Sequence, residues 1–459
     1  MAEPVQLQEQ FGVLPRHAPV ATNAHPIQLV PPEILGVILE HSVDAYLPGR
    51  WSSALWAMVH YDSDDRKAWQ ALGRTPFTLA AVCKRWHSVA HGTPSLWRYI
   101  GAVLDDKMDG VAAERLTARI RLLMARAGSV PLYIVIYCAR YASADARGLW
   151  PLVKELVPRT GTLYMSCMNE ASFAQLAHCL RQPVPHLADF VLRTVQPGGD
   201  RQPALAPFGS APRLRRLHWA WDNIAWETEN EGLHVLPVEE AEISQWELSA
   251  PGLLKWLARL PAARTLEASA GTLALAHPAP APVTLVHLHT LTLKLTGMDL
   301  ATAQSLVFPH VRRATVICFL LNLSVAPPAA MNAFLSRALR AVEELTLVYP
   351  PSEVDTEVLT ALHALRTLDI GNDMVNLPLS QSFYDAFLPQ EDGTWPCPRL
   401  EALTVQHDGI EMEWLLRLAR ARCAARAEVA PLPAVPLKLL AHGMIDGPVM
   451  DHAIAAILA

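Results

Sequence analysis

The stretch Leu288-His289-Thr290-Leu291-Thr292-Leu293 decides how this chain is read. Apolar residues stand at its first, fourth and sixth positions, and polar ones fill the gaps. The same spacing returns upstream at Ala263-Leu266-Ala268 and downstream at Val311-Ala314-Val316 and Val342-Leu345-Leu347. Working outward, Leu187-Phe190-Leu192, Leu214-Leu217-Trp219, Val238-Ala241-Ile243, Leu365-Leu368-Ile370 and Leu400-Leu403-Val405 complete nine copies. Thr160-Leu163-Met165 and Leu437-Leu440 are weaker copies at either end. The middle apolar residues step by 27, 24, 25, 25, 23, 31, 23 and 35 positions. The last two apolar residues of each copy are two apart, the spacing of one face of a strand, so each copy predicts a short strand with alternate side chains inward.

A strand that recurs about every 25 residues needs a return segment each time, and the intervening sequence supplies it. Leu253-Leu254-Leu257-Leu260, Phe334-Leu335-Ala338-Leu339, Val358-Leu359-Leu362 and Trp414-Leu415-Leu418 have helical apolar spacing. The steps bracket the period of leucine-rich repeats, with two longer insertions. The expected fold is therefore α/β, with a curved leucine-rich-repeat solenoid of strand plus helix per repeat over residues 130–459. A doubly wound parallel sheet also alternates strand and helix, but its strands are near-continuous apolar runs, whereas these keep polar residues between the apolar ones. No glycine-rich phosphate loop follows any of the strands.

Composition agrees with a large core. Of 459 residues 51% are hydrophobic and 18% charged, which excludes a disordered or collagen-like chain. A formal net charge of -6 gives no global attraction to nucleic acid or anionic lipid. The 7 cysteines form no Cys-x-x-Cys pair and leave one over, so neither a disulfide framework nor a zinc ribbon is signalled, and a reducing, intracellular compartment is expected. Residues 1–26 lack a basic start followed by an apolar run and read as a flexible tail. The most apolar later stretch, Ala314 to Met331, is broken by Asn322 and by Pro327-Pro328, so no membrane span is expected.

The first hundred residues follow a different rule. Pro31-Pro32-Glu33-Ile34-Leu35 opens a helix whose stripe is Ile34, Leu35, Ile38 and Leu39. A second helix is expected through Leu79, Val82, Cys83, Trp86, Val89 and Ala90, stopped by Gly92 and Pro94. Between them residues 44–76, with Trp51, Trp56, Trp69 and an acidic tip at Asp62, Asp64 and Asp65, read as an insertion. The run Val30-Pro31-Pro32-Glu33-Ile34-Leu35, then Leu79-x-x-Val82-Cys83-Lys84-Arg85-Trp86, then Thr93-Pro94-Ser95-Leu96-Trp97, resembles the F-box. With the repeats behind it, the chain resembles the large F-box families of mushroom-forming fungi. Val30 replaces the usual leucine, and the two halves lie further apart than a compact F-box needs. The domain expectation is a helical module over 27–100, a linker helix over 101–129 and the repeats thereafter.

A search for chemistry returns little. His-Glu-x-x-His, Gly-x-Ser-x-Gly and phosphate-loop motifs are missing from the sequence. Asp62-x-Asp64-Asp65 is not a calcium loop, because Arg66 and Lys67 occupy the next ligand and glycine positions. His287 and His289, expected on one face of a strand, make an incomplete metal site. Cys83, on an apolar helical stripe, is expected to be packed and inert. Arg213, Arg215 and Arg216 beside Trp219 and Trp221 have a basic-aromatic texture, yet Trp219 falls at an inward position and reads as core filler.

No enzyme, cofactor, metal or nucleic acid is therefore expected. The resemblance implies the substrate-recognition subunit of an SCF-type ubiquitin ligase, its F-box docking on a Skp-type adaptor and through it a cullin, and its repeats holding a target protein. Adaptor contact then falls to Leu29, Pro31, Pro32, Ile34, Leu35, Leu79, Val82 and Trp86, with Trp97 in support. The alternative is a repeat scaffold or receptor that binds a partner without ubiquitin transfer. Strand alternation places Arg193, Arg216, His218, Glu240, Glu242, Glu267, Thr290, Thr292, Lys294 and Thr346 on the concave face as candidates for target contact.

Overall fold

The computed structural model describes residues 27, 29–44, 71, 73–104, 108–139, 148–167, 175–176, 178–194, 210–220, 235–245, 250–273, 282–298, 300–318, 328–348, 356–371, 385–388, 395–406, 414, 417–418, 421 and 438–441. Residues 1–26 and 45–70, including the insertion's tryptophans and acidic tip, lie outside the described residues, as do Trp221, Leu415 and Leu437.

All nine strands expected from the apolar pattern are present and pair in parallel. They are β4 (Asp189–Thr194), β5 (Arg216–Ala220), β6 (Glu240–Gln245), β7 (Thr265–Leu273), β9 (Thr290–Met298), β11 (Arg313–Cys318), β12 (Glu344–Val348), β13 (Thr367–Gly371) and β14 (Ala402–Gln406). The register aligns the middle apolar residues one above another: Phe190 faces Leu217, then Ala241, Leu266, Leu291, Ala314, Leu345, Leu368 and Leu403. A one-residue slip would turn every one of these side chains to the opposite face, so burial of the column fixes the register. The weaker copies are also strands, β3 (Thr160–Cys167) and β15 (Lys438–Ala441). At β15 the residue in the column is Leu439, opposite Leu403, and not the expected Leu440.

The sheet begins before the expected start at 130. β1 (Tyr99–Leu104) and β2 (Leu132–Cys138) precede β3, carrying Ile100 and Ile134 in the same column. The expected linker helix is α4 (Gly110–Ala127), the return helix from β1 to β2. Among the described residues the main sheet thus has 13 strands, whose spatial order follows the chain without reversal. A doubly wound sheet reverses its strand order at a switch point, so this order identifies a solenoid. A separate small pair, β8 (Val283–Thr284) with β10 (Leu306–Val307), lies on the return segments.

The returns are helical where their apolar spacing indicated, at α6 (Ala250–Ala258), α8 (Pro328–Ala338) and α9 (Thr356–Ala361), and also at α5 (Trp150–Leu156) and α7 (Leu300–Ser305). Tryptophan fills the wide part of the core: Trp219 is fully buried between Phe190, 6.0 Å away, and Trp256, 5.3 Å away. Ile100, Ala102, Ile120, Ile136 and Leu152 surround a small apolar void at the first turn of the solenoid.

The helical module caps the β1 end. Among the described residues it consists of α1 (Pro32–Asp44), α2 (Thr75–Ala80) and α3 (Lys84–His91), followed by a 3-10 turn at Pro94–Trp97. The single helix expected through Leu79 and Ala90 is two helices. Cys83 is extended (φ -162, ψ 169), and its Sγ accepts the backbone N–H of Trp86 at 3.5 Å, so it serves as an N-cap. It is exposed, contrary to the packed position expected for it. α2 already includes Pro76, so the insertion closes before Thr75.

Trp97 joins module to solenoid. Its indole Nε1 donates to the Ala90 carbonyl at 2.6 Å, Phe77 meets its ring edge-on, and the Arg126 guanidinium of α4 lies 4.1 Å from its centroid. Gly73 adds to the seal: a Cβ there would stand 3.2 Å from the backbone nitrogen of Gly101 in β1, so a larger residue would have to push the two backbones slightly apart. Covering the first strand protects an end of the sheet that would otherwise offer unpaired backbone groups.

Candidate functional site

Two surfaces compete for the role of site. The first is on α1. Leu35, Leu39 and Val43, at offsets 0, 4 and 8, are fully buried against the module core. Gly36 lies where α1 passes close to Thr93 and Val89. The other side of the same helix is apolar as well: Ile34 is 53%, Val37 50% and Ile38 43% exposed. Arg85 of α3 donates to the carbonyls of Val30 and Ile27, which ties the start of α3 to the start of α1. That bond brings Val82, 59% exposed, to the end of the module where Leu29 is 67% exposed. Ser95 donates to Glu40 and fixes the far end of α1 against the 3-10 turn.

The expected contact set divides on this geometry. Leu29, Pro31, Pro32, Ile34 and Val82 are exposed, and Leu79 and Trp86 are half-buried. Leu35 and Trp97 are fully buried and belong to the core; on α1 the stripe Ile34-Leu35-Ile38-Leu39 splits into two rows about 100° apart, Leu35 and Leu39 inward and Ile34 and Ile38 outward. Val37 was missed by the sequence reading. Its spacing of three and one from Ile34 and Ile38 was the available signal.

The second surface is the sheet face opposite the apolar column. Its charged residues largely neutralise one another across neighbouring strands. Arg216 grips Asp189 with two bonds of 2.5 and 2.9 Å, and that hydrogen bond holds its pKa above the ordinary value. Lys294 pairs with Glu267, and His218 Nδ1 lies 2.6 Å from Glu242. Further along, Arg313 pairs with Glu344 at 3.0 Å. Arg193 and His218, expected to present themselves to a target, are buried, each only 9% exposed. Glu240 is exposed, and Glu242, Glu267, Thr290, Thr292, Lys294 and Thr346 are partly so. The face is a self-paired ladder in which blocks of net charge are small.

His287 and His289 precede β9 in a turn and so do not share a strand face; both are exposed. No group of three metal-ligating side chains occurs among the described residues. Burial pushes the Cys179 thiol up to about 11 and raises that of Cys318, which keeps both protonated and poor nucleophiles. Arg213 and Arg215 are exposed while Trp219 is in the core, so the basic-aromatic texture is not one surface. No helix among the described residues is long and apolar enough to cross a membrane.

No family model matches the chain, and no curated protein matches it. Among solved structures it is similar to the one described as "Crystal structure of TLR13-ssRNA13 complex", at 15% identity over 62% of this chain and 43% of that chain, with a TM-score of 0.28. The chain thus spans less than half the length of that match.

Proposed function

We propose that this chain is the substrate-recognition subunit of an SCF-type ubiquitin ligase, a non-catalytic adaptor whose helical module docks on a Skp-type protein and whose solenoid holds the target. The observation that supports this reading most is the outward apolar side of α1, Ile34, Val37 and Ile38, continued by Leu29 and Val82. A helix that buries one apolar side and leaves another open is arranged for a partner helix or groove. The F-box resemblance names the partner. Contact then centres on Leu29, Pro31, Pro32, Ile34 and Val82, with Leu79 and Trp86 at the margin and Leu35 and Trp97 supporting from beneath.

The second reading, a repeat scaffold without ubiquitin transfer, draws on the solenoid alone, since a long sheet built from repeats offers an extended binding surface whatever precedes it. Affinity capture of the Skp-type adaptor from the source cell separates the two. The wild-type chain captures it, and Ile34→Asp with Val82→Asp abolishes capture while the melting temperature holds. A wild-type chain that captures no adaptor favours the scaffold.

A further inference from the structure

Two residues before each middle apolar position the backbone forms a continuous ladder. The N–H groups of Arg215, Glu239, Arg264, His289, Arg312, Glu343, Arg366 and Glu401 each donate to the carbonyl of the residue's counterpart one repeat earlier, at 2.7–2.9 Å. These residues therefore stand just before neighbouring strands, in a single row along the leading edge of the sheet. Read in order, their signs alternate: arginine, glutamate, arginine, histidine, arginine, glutamate, arginine, glutamate. Arg366 meets Glu401 at 3.0 Å, and Arg312 approaches Glu343 at 3.9 Å. Alternation is what cross-strand electrostatics favours, since opposite charges facing each other stabilise a sheet and like charges do not.

The row breaks its own rule once. Between Arg264 and Arg312 alternation calls for an acid, and His289 stands there. The surroundings add to the departure: His287 and His310 lie two residues before His289 and Arg312, Arg313 follows Arg312, and all six side chains are exposed. The groups facing them are Glu239 and Glu240 from the β6 side and Glu343 and Glu344 from the β12 side, the last two already paired with Arg312 and Arg313. His289 Nδ1 lies 3.4 Å from the His310 carbonyl, a contact that supplies no opposite charge, and a position where local charge pairing is violated is a candidate for function.

We propose that this edge, centred on His289 between Arg264 and Arg312, binds an acidic protein segment whose oxyanion occupies the place of the missing acid. The partner completes the row in trans. The flanking glutamates define the kind of ligand: the basic stretch spans three strands, roughly 10 Å at the usual strand spacing, and ends in acid on both sides. That repels an extended polyanion such as nucleic acid or an anionic membrane and admits a short acidic segment. The inference does not rest on the reading of the helical module.

The test is fluorescence anisotropy of the full chain with a labelled tetraglutamate peptide, the same peptide carrying one phosphoserine, and a tetralysine control. The wild type binds both acidic peptides in a salt-sensitive way and ignores tetralysine. His289→Glu, which restores alternation, weakens binding at least about tenfold while the melting temperature stays level or rises. Tighter binding of the phosphoserine peptide assigns the oxyanion to phosphate, and equal binding assigns it to carboxylates. If the wild type binds neither peptide, or His289→Glu binds as well as the wild type, the proposal is wrong.

Discussion

The helical module and the repeat array solve the burial problem in opposite ways. In the array the apolar column points inward at strand after strand, from Phe190 to Leu403, and each repeat covers its neighbour. In the module one short helix carries apolar residues on both sides, and five large apolar residues, Leu29, Ile34, Val37, Ile38 and Val82, remain open to solvent. The array is self-sufficient because every repeat has a neighbour. The module, at the end of the row, has the solenoid on one side only, and its other side, the one we propose for a partner, stays open to solvent.

The largest effect that sharpens this contrast is in the array core. Trp219→Ala removes a fully buried indole packed on Phe190 and Trp256, and denaturant unfolding should show a loss of about 3–5 kcal/mol. Next comes a pair of substitutions on α1 itself. Leu35→Ala should cost about 2–5 kcal/mol, whereas Ile34→Ala, one residue away but facing out, should stay within about 0.5 kcal/mol. Equal costs would erase the distinction between the two sides of the helix. A smaller effect belongs to the Cys83 cap: Cys83→Ala should lower stability by about 0.5–1 kcal/mol, and Cys83→Ser, a better acceptor, should hold or raise it.

The smallest effect is a pH dependence at the joint. His91 stacks beside Trp97, 5.6 Å between centroids, and its pKa is lowered by desolvation, then by Arg126 and then by His87. Because the folded state disfavours the charged ring, the unfolded chain binds the proton more readily, and stability falls as pH drops below about 6.5. Unfolding curves at pH 7.5 and 5.5 should separate slightly for the wild type and come together in His91→Gln. Separation that persists in the variant would place the dependence elsewhere.

How much of this was legible in the sequence follows from the same contrast. The nine strands could be read because each keeps polar residues between apolar ones, as in Leu291-Thr292-Leu293. β1 and β2 could not, since Tyr-Ile-Gly-Ala-Val-Leu and Leu-Tyr-Ile-Val-Ile-Tyr-Cys are near-continuous apolar runs, buried or nearly so on both faces, and show no period. The break at Cys83 was hidden because Leu79, Val82, Cys83 and Trp86 keep helical offsets across two separate helices. Self-pairing of the open face was also hidden: which charge meets which depends on register, and Asp189 finds Arg216 only once β4 and β5 are aligned. Two-sided α1 was half-legible, because its apolar residues were visible but the side each one takes was not.

The central claim, that α1 presents a docking side while the array stands alone, is tested most directly by hydrogen exchange on the full chain with and without the Skp-type adaptor. The account predicts added protection confined to residues 29–44 and 82–91, with the strands from β4 to β14 unchanged. Protection that appears along the strands and leaves α1 unaltered, or no change anywhere at saturating adaptor, contradicts it.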